Sequence, residues 1–156
     1  MLPERLDAFI ARHGLDVHLA AHAEAAPTAE AAARILGVAV ADIVKTMVLV
    51  DGERTVAAVV PGDRRLDRRK AAQAAGLNKL RLATADEVLA RTGWPAGGVA
   101  PLAFATPTTL IVDAALAADP ARTVIAGGGR IELLVRIKVG DLVRAGDALV
   151  APVTQD

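Results

Sequence analysis

ADIVKTMVLVDGERTVAAVVPGDRR, residues 41–65, reads as a β-hairpin buried on both sides. Ile43, Val44, Met47, Val48, Leu49 and Val50 are apolar at both parities, which is how a strand covered on both faces is written. Asp51-Gly52 is a turn signal, and Thr55 to Val60 supplies the returning strand. Lys45 stands out in this run. An ammonium inside a core must lose its charge or find a partner. Two readings are open: Lys45 sits near the strand's mouth and snorkels to water, or it faces a polar site.

Working outward, the rest of the chain alternates short helices and strands. Leu6, Phe9 and Ile10 recur at helical spacing in residues 3–13, and Gly14 stops that helix. Val17 to Leu19 suggests a short strand. Thr28 is a helix N-cap, and the alanine-rich helix after it is expected to turn Ile35 and Leu36 inward before Gly37. Asp67 caps a helix through Ala75, closed by Gly76. Lys79 to Ala83 alternates like a brief strand, and Thr84-Ala85-Asp86-Glu87 is a capping box opening a helix to Arg91. TGWPAGGVAPLAF, residues 92–104, is a loop of defined shape. Strands follow at Leu110–Val112 and Thr123–Ala126, with a short alanine-rich helix between them. After the glycines at 127–129, Ile131, Leu133, Val135 and Ile137 alternate with Glu132, Arg136 and Lys138, so this strand has one wet face. No domain boundary, repeat or linker shows, and residues 1–156 are expected to form one domain. The pattern predicts a mixed-sheet α/β or α+β fold rather than a doubly wound one.

Composition narrows the chemistry. Of 156 residues 53% are hydrophobic, much of that alanine, while aromatics make up only 2%. Formal net charge is zero, so no global field advertises a polyanion, and nucleic-acid contact would need a local patch. No apolar run is long enough to cross a bilayer and no charged-then-apolar leader is visible, so the expected location is cytoplasmic and no membrane partner is expected. The chain has no cysteine, serine or tyrosine, which removes thiol and serine nucleophiles and cysteine-based zinc sites. His13, His18 and His22 form no HExxH pair, so neither metal nor other cofactor is expected. An enzyme with this inventory would attack with water, a substrate group, a threonine, a carboxylate or a lysine.

TAEAAARILGV, IVKTMVLVDG, VVPGDRRLDRRKAAQAAGL, TGWPAGGVAPLAF and TLIVDAAL, then AGGGR and VGDLV, follow one another along the chain. In this order and spacing they resemble the YbaK and prolyl-tRNA-synthetase-associated editing domain family. The resemblance implies a compact α/β domain around a mixed, barrel-like sheet. It also implies hydrolysis of the ester of wrongly charged tRNA: small residues such as alanine, cysteine or serine on prolyl-tRNA, with prolyl-tRNA synthetase as a possible partner. Lys45 would then point into the acceptor-end pocket beside Thr46, a substrate contact. There an ammonium can hold ribose or phosphate oxygens and stabilise charge developing on the ester carbonyl. The attacking group would be water or the substrate's own side chain, such as a cysteinyl thiol.

The remaining candidates divide between this reading and plainer ones. In GGVAP, residues 97–101, Gly97, Gly98 and Val99 are expected to aim backbone N–H groups at an oxyanion, stiffened by Pro101; the alternative is a surface turn. Gly127 and Gly128 would add a second backbone wall, or belong to a flexible connector. The family often carries a hydroxyl residue near this second loop, where this chain has only glycine. Asp141 matches an aspartate that would orient the substrate amine or Lys45, yet a helix N-cap uses the same residue. His22 falls in a stretch that lines the pocket in relatives. DRRLDRRK, residues 63–70, sets Arg64, Arg65, Arg68, Arg69 and Lys70 against two aspartates. It is either a tRNA-phosphate grip or a solvated helix. IKVGDLVRAGDALVAPV, residues 137–153, imitates half of a biotinyl or lipoyl carrier motif, without the second half or its lysine turn. The function favoured is a trans-editing deacylase; the alternative is a non-catalytic module binding tRNA or a small ligand in the same pocket.

Overall fold

The computed structural model describes residues 1–22 and 28–156, with the side chain of His22 outside the description. The hairpin forms as its sequence predicts. Strands β2 (Val44–Asp51) and β3 (Arg54–Pro61) pair antiparallel, with Lys45 opposite Val60 and Thr46 opposite Val59. Parallel to β3 runs β5 (Thr109–Asp113), and parallel to that β8 (Leu149–Ala151). On the other side of β2 lies β4, only Arg81–Leu82 long. These make a mixed five-stranded sheet in the order β4-β2-β3-β5-β8. A second, antiparallel sheet has the order β1-β7-β6, from β1 (His18–His22), β7 (Leu133–Lys138) and β6 (Thr123–Gly127). Among the described residues the only backbone pairing between the two sheets is one bridge, Ile43 to Ile125, so the barrel does not close.

Both faces of the large sheet are buried, which explains its double-parity apolar code. Ala57 and Val59 pack with Val112, Val124, Val135 and Ile137 between the sheets. Val56, Ala58 and Val60 pack on the opposite face against Ala71 and Ala72 of α3 (Arg68–Ala75). Strand alternation then fixes the site. Lys45, Met47 and Leu49 point to the α3 side, opposite Val60, Ala58 and Val56. Val44, Thr46 and Val48 point to the other face, where Val44 packs with the small sheet and Val48 with Leu6, Val88 and Trp94.

Five further α-helices and a short 3-10 helix (Val40–Asp42) complete the described residues: α1 (Glu4–His13), α2 (Ala29–Leu36), α4 (Ala85–Thr92), α5 (Ala114–Ala117) and α6 (Val139–Ala145). The caps at Thr28, Asp67 and Thr84 form as their sequence signals require, and at Thr84 the full capping box is present.

Three expectations need correction. Ile35 is 53% exposed, because Ala29, Ala32, Ala33 and Leu36 hold the i, i+3, i+4, i+7 stripe and leave it off the packed face. Ile131 is 61% exposed, because a turn closed by Leu133 N–H to the Arg130 carbonyl precedes β7. The strand β1 starts one residue later than expected and runs on to His22. Residues 139–145 are helical and bury Val139 and Leu142, in keeping with the rejection of the carrier-like motif, which has no hairpin to present a lysine. The strand after it, β8, is not signalled by strict alternation.

Candidate active site

The site opens where the large sheet is incomplete. Along its outer edge β2 pairs with β4 only at Leu49 and Val50, and the Ala83 N–H adds one bond to the Val48 carbonyl. Residues 44–47 therefore lie beyond the reach of β4. A cavity of about 290 Å³ occupies this gap, lined by Val44, Lys45, Thr46, Met47, Gly97, Val99, Gly127 and Leu134. Lys45 is exposed at its lip and makes no ion pair or hydrogen bond with any described residue. Both sequence readings of Lys45 meet here: it is at the strand's mouth, and that mouth is a cleft.

The wall opposite Lys45 is a pinned loop. Trp94, 3% exposed, donates its indole N–H to the Leu102 carbonyl at 3.0 Å. The Arg5 guanidinium stacks on that ring at 4.0 Å and donates to the carbonyls of Ala103 (2.8 Å) and Thr92 (2.9 Å). Thr92 accepts the Trp94 N–H at 3.0 Å. The loop is thus held at both ends before it reaches the cleft.

Gly98 has a different role from the one its sequence suggests. Its N–H is spent on the Pro95 carbonyl at 2.9 Å, so it is not offered to an oxyanion. Its carbonyl accepts the Gly129 N–H at 2.9 Å, and a Cβ here would lie 2.4 Å from the Arg130 carbonyl carbon. At Gly127 a Cβ would lie 2.3 Å from the Val99 carbonyl oxygen. These two glycines let the loop cross the β6–β7 connection in backbone contact. Gly97, at φ +88° with nothing within 4 Å of its Cβ direction, turns the chain at the cleft itself. Gly128 and Pro101 are buried behind this wall and do not line the cavity.

Thr46 carries the sharpest polar signal. Its Oγ1 is buried and has no hydrogen-bond partner, the one such side-chain atom among the described residues. Leaving a buried hydroxyl unpaired costs about 1–3 kcal/mol, and such exceptions in native folds call for an explanation. Thr46 is itself one of the residues lining the cavity next to Lys45.

A second cavity, about 360 Å³, lies on the α3 side of β2. It is lined by Lys45, Met47, Val60, Arg64, Arg65, Leu66, Arg68, Leu82 and Gln155, and so shares Lys45 and Met47 with the first. The basic cluster is split by the fold. Arg64, Arg65 and Arg68 face this cleft, whereas Arg69 does not line it. Lys70 is committed elsewhere, donating to the Thr154 carbonyl and the Asp156 carboxylate, each at 2.9 Å.

Two further candidates lie apart. Asp141 is in the first turn of α6 and pairs with Arg144 at 3.1 Å; Lys138 holds the N-cap position, so Asp141 is neither the cap nor a lining residue of either cavity. His22 ends β1 opposite Leu133, and its side chain lies outside the described residues. Sequence reading missed Met47 and Leu134 as walls, and Leu82 and Gln155 as the far side of the second cleft. Nothing in their spacing marks them, since apolar strand residues and a penultimate glutamine look like core and tail. Among the described residues no cluster of three His, Cys, Asp or Glu side chains could hold a metal ion, and no helix is long and apolar enough to cross a membrane.

With this geometry in place, the family follows. Residues 23–145 match the aminoacyl-tRNA editing domain family, and the chain belongs to it. Among relatives, a proline–tRNA ligase of Solidesulfovibrio magneticus is 41% identical over 93 residues, which span 59% of this chain and only 16% of the ligase. A protein of Enterococcus faecalis, provisionally named a Cys-tRNA(Pro)/Cys-tRNA(Cys) deacylase, is 39% identical over 48% of this chain and 46% of its own length. Among solved structures, one provisionally described as a trans-editing enzyme for prolyl tRNA synthetase superposes with a TM-score of 0.84. It is 33% identical, with 97% of this chain and 96% of that one covered. A hypothetical protein, APE2540, gives 0.86 at 37% identity, over 97% and 100% of the two chains.

Proposed function

We propose that the protein is an aminoacyl-tRNA deacylase that works in trans, hydrolysing the ester of tRNA(Pro) mischarged with a small amino acid, cysteine or alanine. The observation that carries this is the ammonium of Lys45, unpaired among the described residues and standing on the lip shared by two cavities. One cavity, walled by Val44, Met47, Val99 and Leu134, suits a small and weakly polar acyl group. The other is lined by cations and suits the nucleic-acid end. The names given to the relatives support tRNA(Pro) as the carrier and prolyl-tRNA synthetase as the enzyme whose errors are cleared. Such a substrate places the work in the cytoplasm.

The chemistry fits the side chains present. The acyl carbon takes an oxygen from water, the bond to the ribose oxygen breaks, and that oxygen leaves with a proton as the terminal hydroxyl. Lys45 stabilises the oxyanion formed on the way, acting as a fixed positive charge. Thr46 Oγ1 gives the acyl group's amine or ester a hydrogen-bond partner inside the cavity. Where the acyl group is cysteinyl, its own thiol can attack the acyl carbon in place of water, expelling the same ribose oxygen with a proton and leaving a cyclic thiolactone that water then opens to cysteine.

The test is a deacylation panel of Ala-, Cys-, Ser-, Thr- and Pro-tRNA(Pro) with wild type and Lys45→Ala. Hydrolysis of a small-residue ester is expected, with a loss of about a hundredfold or more in the variant and an unchanged circular dichroism spectrum. Full turnover by a folded Lys45→Ala protein refutes the mechanism. Binding of every substrate without turnover by wild type would make this a non-catalytic tRNA-binding module.

A further inference from the structure

We propose that Arg5, in the first turn of α1, is a positioning residue that sets which acyl groups the cleft accepts. It lines neither cavity beside Lys45; it braces the wall that does. The selectivity rests on the deacylase reading, whereas the brace has a readout of its own. An exposed arginine on a helix is ordinarily left to water, but this one is fully engaged. Its guanidinium lies 4.0 Å over the Trp94 ring while donating edge-on to the carbonyls of Ala103 at 2.8 Å and Thr92 at 2.9 Å. Those carbonyls stand at the two ends of the loop, so one planar group closes it like a clasp. A lysine ammonium, a point charge, cannot stack and bridge in this way. Gly93 completes the seat: its φ is +77°, and a Cβ there would overlap the guanidinium.

The brace reaches the cleft through Trp94. A Cβ on Gly129 would lie 2.8 Å from Trp94 Cζ3 and 3.0 Å from Pro3 Cγ, so ring and proline both press on the β6–β7 connection. Gly129 N–H in turn donates to the Gly98 carbonyl at 2.9 Å. The neighbours of Gly98, Gly97 and Val99, line the 290 Å³ cavity together with Gly127. Leu6, next to Arg5, is buried in the same cluster as Trp94 and Val99. Both segments of the wall therefore rest on the first turn of α1, which lies outside residues 23–145, the part of the chain that defines the family. A small apolar pocket rejects an extra methylene by about 10–200-fold, and it can do so only if its wall does not yield. Arg5 supplies that stiffness from outside the cleft. None of its contacts lies on the arginine-lined side, so binding of the nucleic acid does not depend on it.

The experiment measures deacylation, well below Tm, of one tRNA(Pro) carrying either the preferred small acyl group or valine. Arg5→Ala is expected to lower the ratio of kcat/KM for the small ester over the valyl ester by about tenfold or more. For the small ester kcat should fall while KM stays within about twofold. Arg5→Lys keeps the charge without the planar fork and is expected to move the ratio the same way, which decides the matter if Arg5→Ala does not fold. Arg12→Ala, in the last turn of α1 and 5.9 Å from the Phe9 ring, is expected to leave the ratio unchanged. Trp94 is the only tryptophan in the chain, so its fluorescence reports the brace without substrate. Its emission should shift to the red and become open to acrylamide quenching in Arg5→Ala, and not in Arg12→Ala. Arg5 variants that slow both esters by the same factor overturn the proposal, as does an indole no more accessible than in wild type. A wild-type protein that hydrolyses neither ester refutes the deacylase reading itself, and the fluorescence change in Arg5→Ala tells that failure apart from failure of the brace.

Discussion

Replacing Gly98 by alanine tests whether the cleft's back wall is held by backbone contact. A Cβ at this position would sit 2.4 Å from the Arg130 carbonyl carbon and 2.6 Å from the Ile131 nitrogen. Both are backbone atoms and do not swing aside as a side chain would. Overpacking of this kind costs about 1–3 kcal/mol. Moving the loop also forfeits the Gly129 N–H bond to the Gly98 carbonyl, about 1 kcal/mol more. A loss near 3 kcal/mol corresponds to a drop in Tm of about 10 °C for a chain of this size. Because the displaced loop carries Gly97 and Val99, single-turnover deacylation should fall as well, even well below Tm. Gly97→Ala is the companion: nothing lies within 4 Å of its Cβ direction, so it pays only backbone strain at φ +88°, about 1 kcal/mol. Thermal melts beside single-turnover rates decide the matter. A Gly98→Ala protein that melts within about 2 °C of wild type yet has lost turnover would refute the backbone-contact account and return Gly98 to the role of oxyanion donor.

Three other perturbations have definite signs. Thr46→Val removes a buried hydroxyl that has no partner, so it should raise stability by about 1 kcal/mol while lowering kcat/KM; a lower Tm or unchanged turnover contradicts the assignment. Glu87 is held at a pKa of about 2, first by its bond to Arg81 and then by the Thr84 backbone N–H. A depressed folded pKa means stability that is present above the ordinary glutamate value and lost as pH falls toward 2. The difference in Tm between wild type and Glu87→Gln should therefore shrink between about pH 4.5 and pH 2, and a gap that widens on acidification would be inconsistent. Lys70→Met should lower Tm by a few degrees, on the order of 1 kcal/mol for its lost bonds, with KM for aminoacyl-tRNA unchanged; a rise in KM without a stability loss would restore Lys70 to the tRNA grip.

Local chemistry was legible wherever a rule acts over a few residues. The hairpin at Asp51-Gly52, the caps at Thr28, Asp67 and Thr84, and the helix stop at Gly14 all form as their side chains dictate. Lys45 was visible because a lone charge is anomalous in an apolar strand, whereas Thr46 came only with the resemblance carried by the IVKT segment. Ile35 misled because a residue beside the stripe looks apolar in any register, and only the stripe's partner selects which face is covered.

Which groups meet was decided in three dimensions. Sequence supplied five basic residues near one helix start, but the return of the chain's end across Arg65–Asp67 is what ties Lys70 down and leaves Arg64, Arg65 and Arg68 facing a cleft. Adjacent glycines in the sequence implied freedom to approach a ligand, whereas packing used Gly98 and Gly127 to let two backbones touch. The cleft itself exists because β4 ends two pairs into its ladder, leaving residues 44–47 open to a loop some fifty positions away. Capping, turn geometry and strand alternation are short-range steric and hydrogen-bonding effects, so they can be read from neighbours along the chain. Where a ladder stops, and which distant backbone fills the gap, depends on contacts between segments remote in sequence, and only the folded chain brings those together.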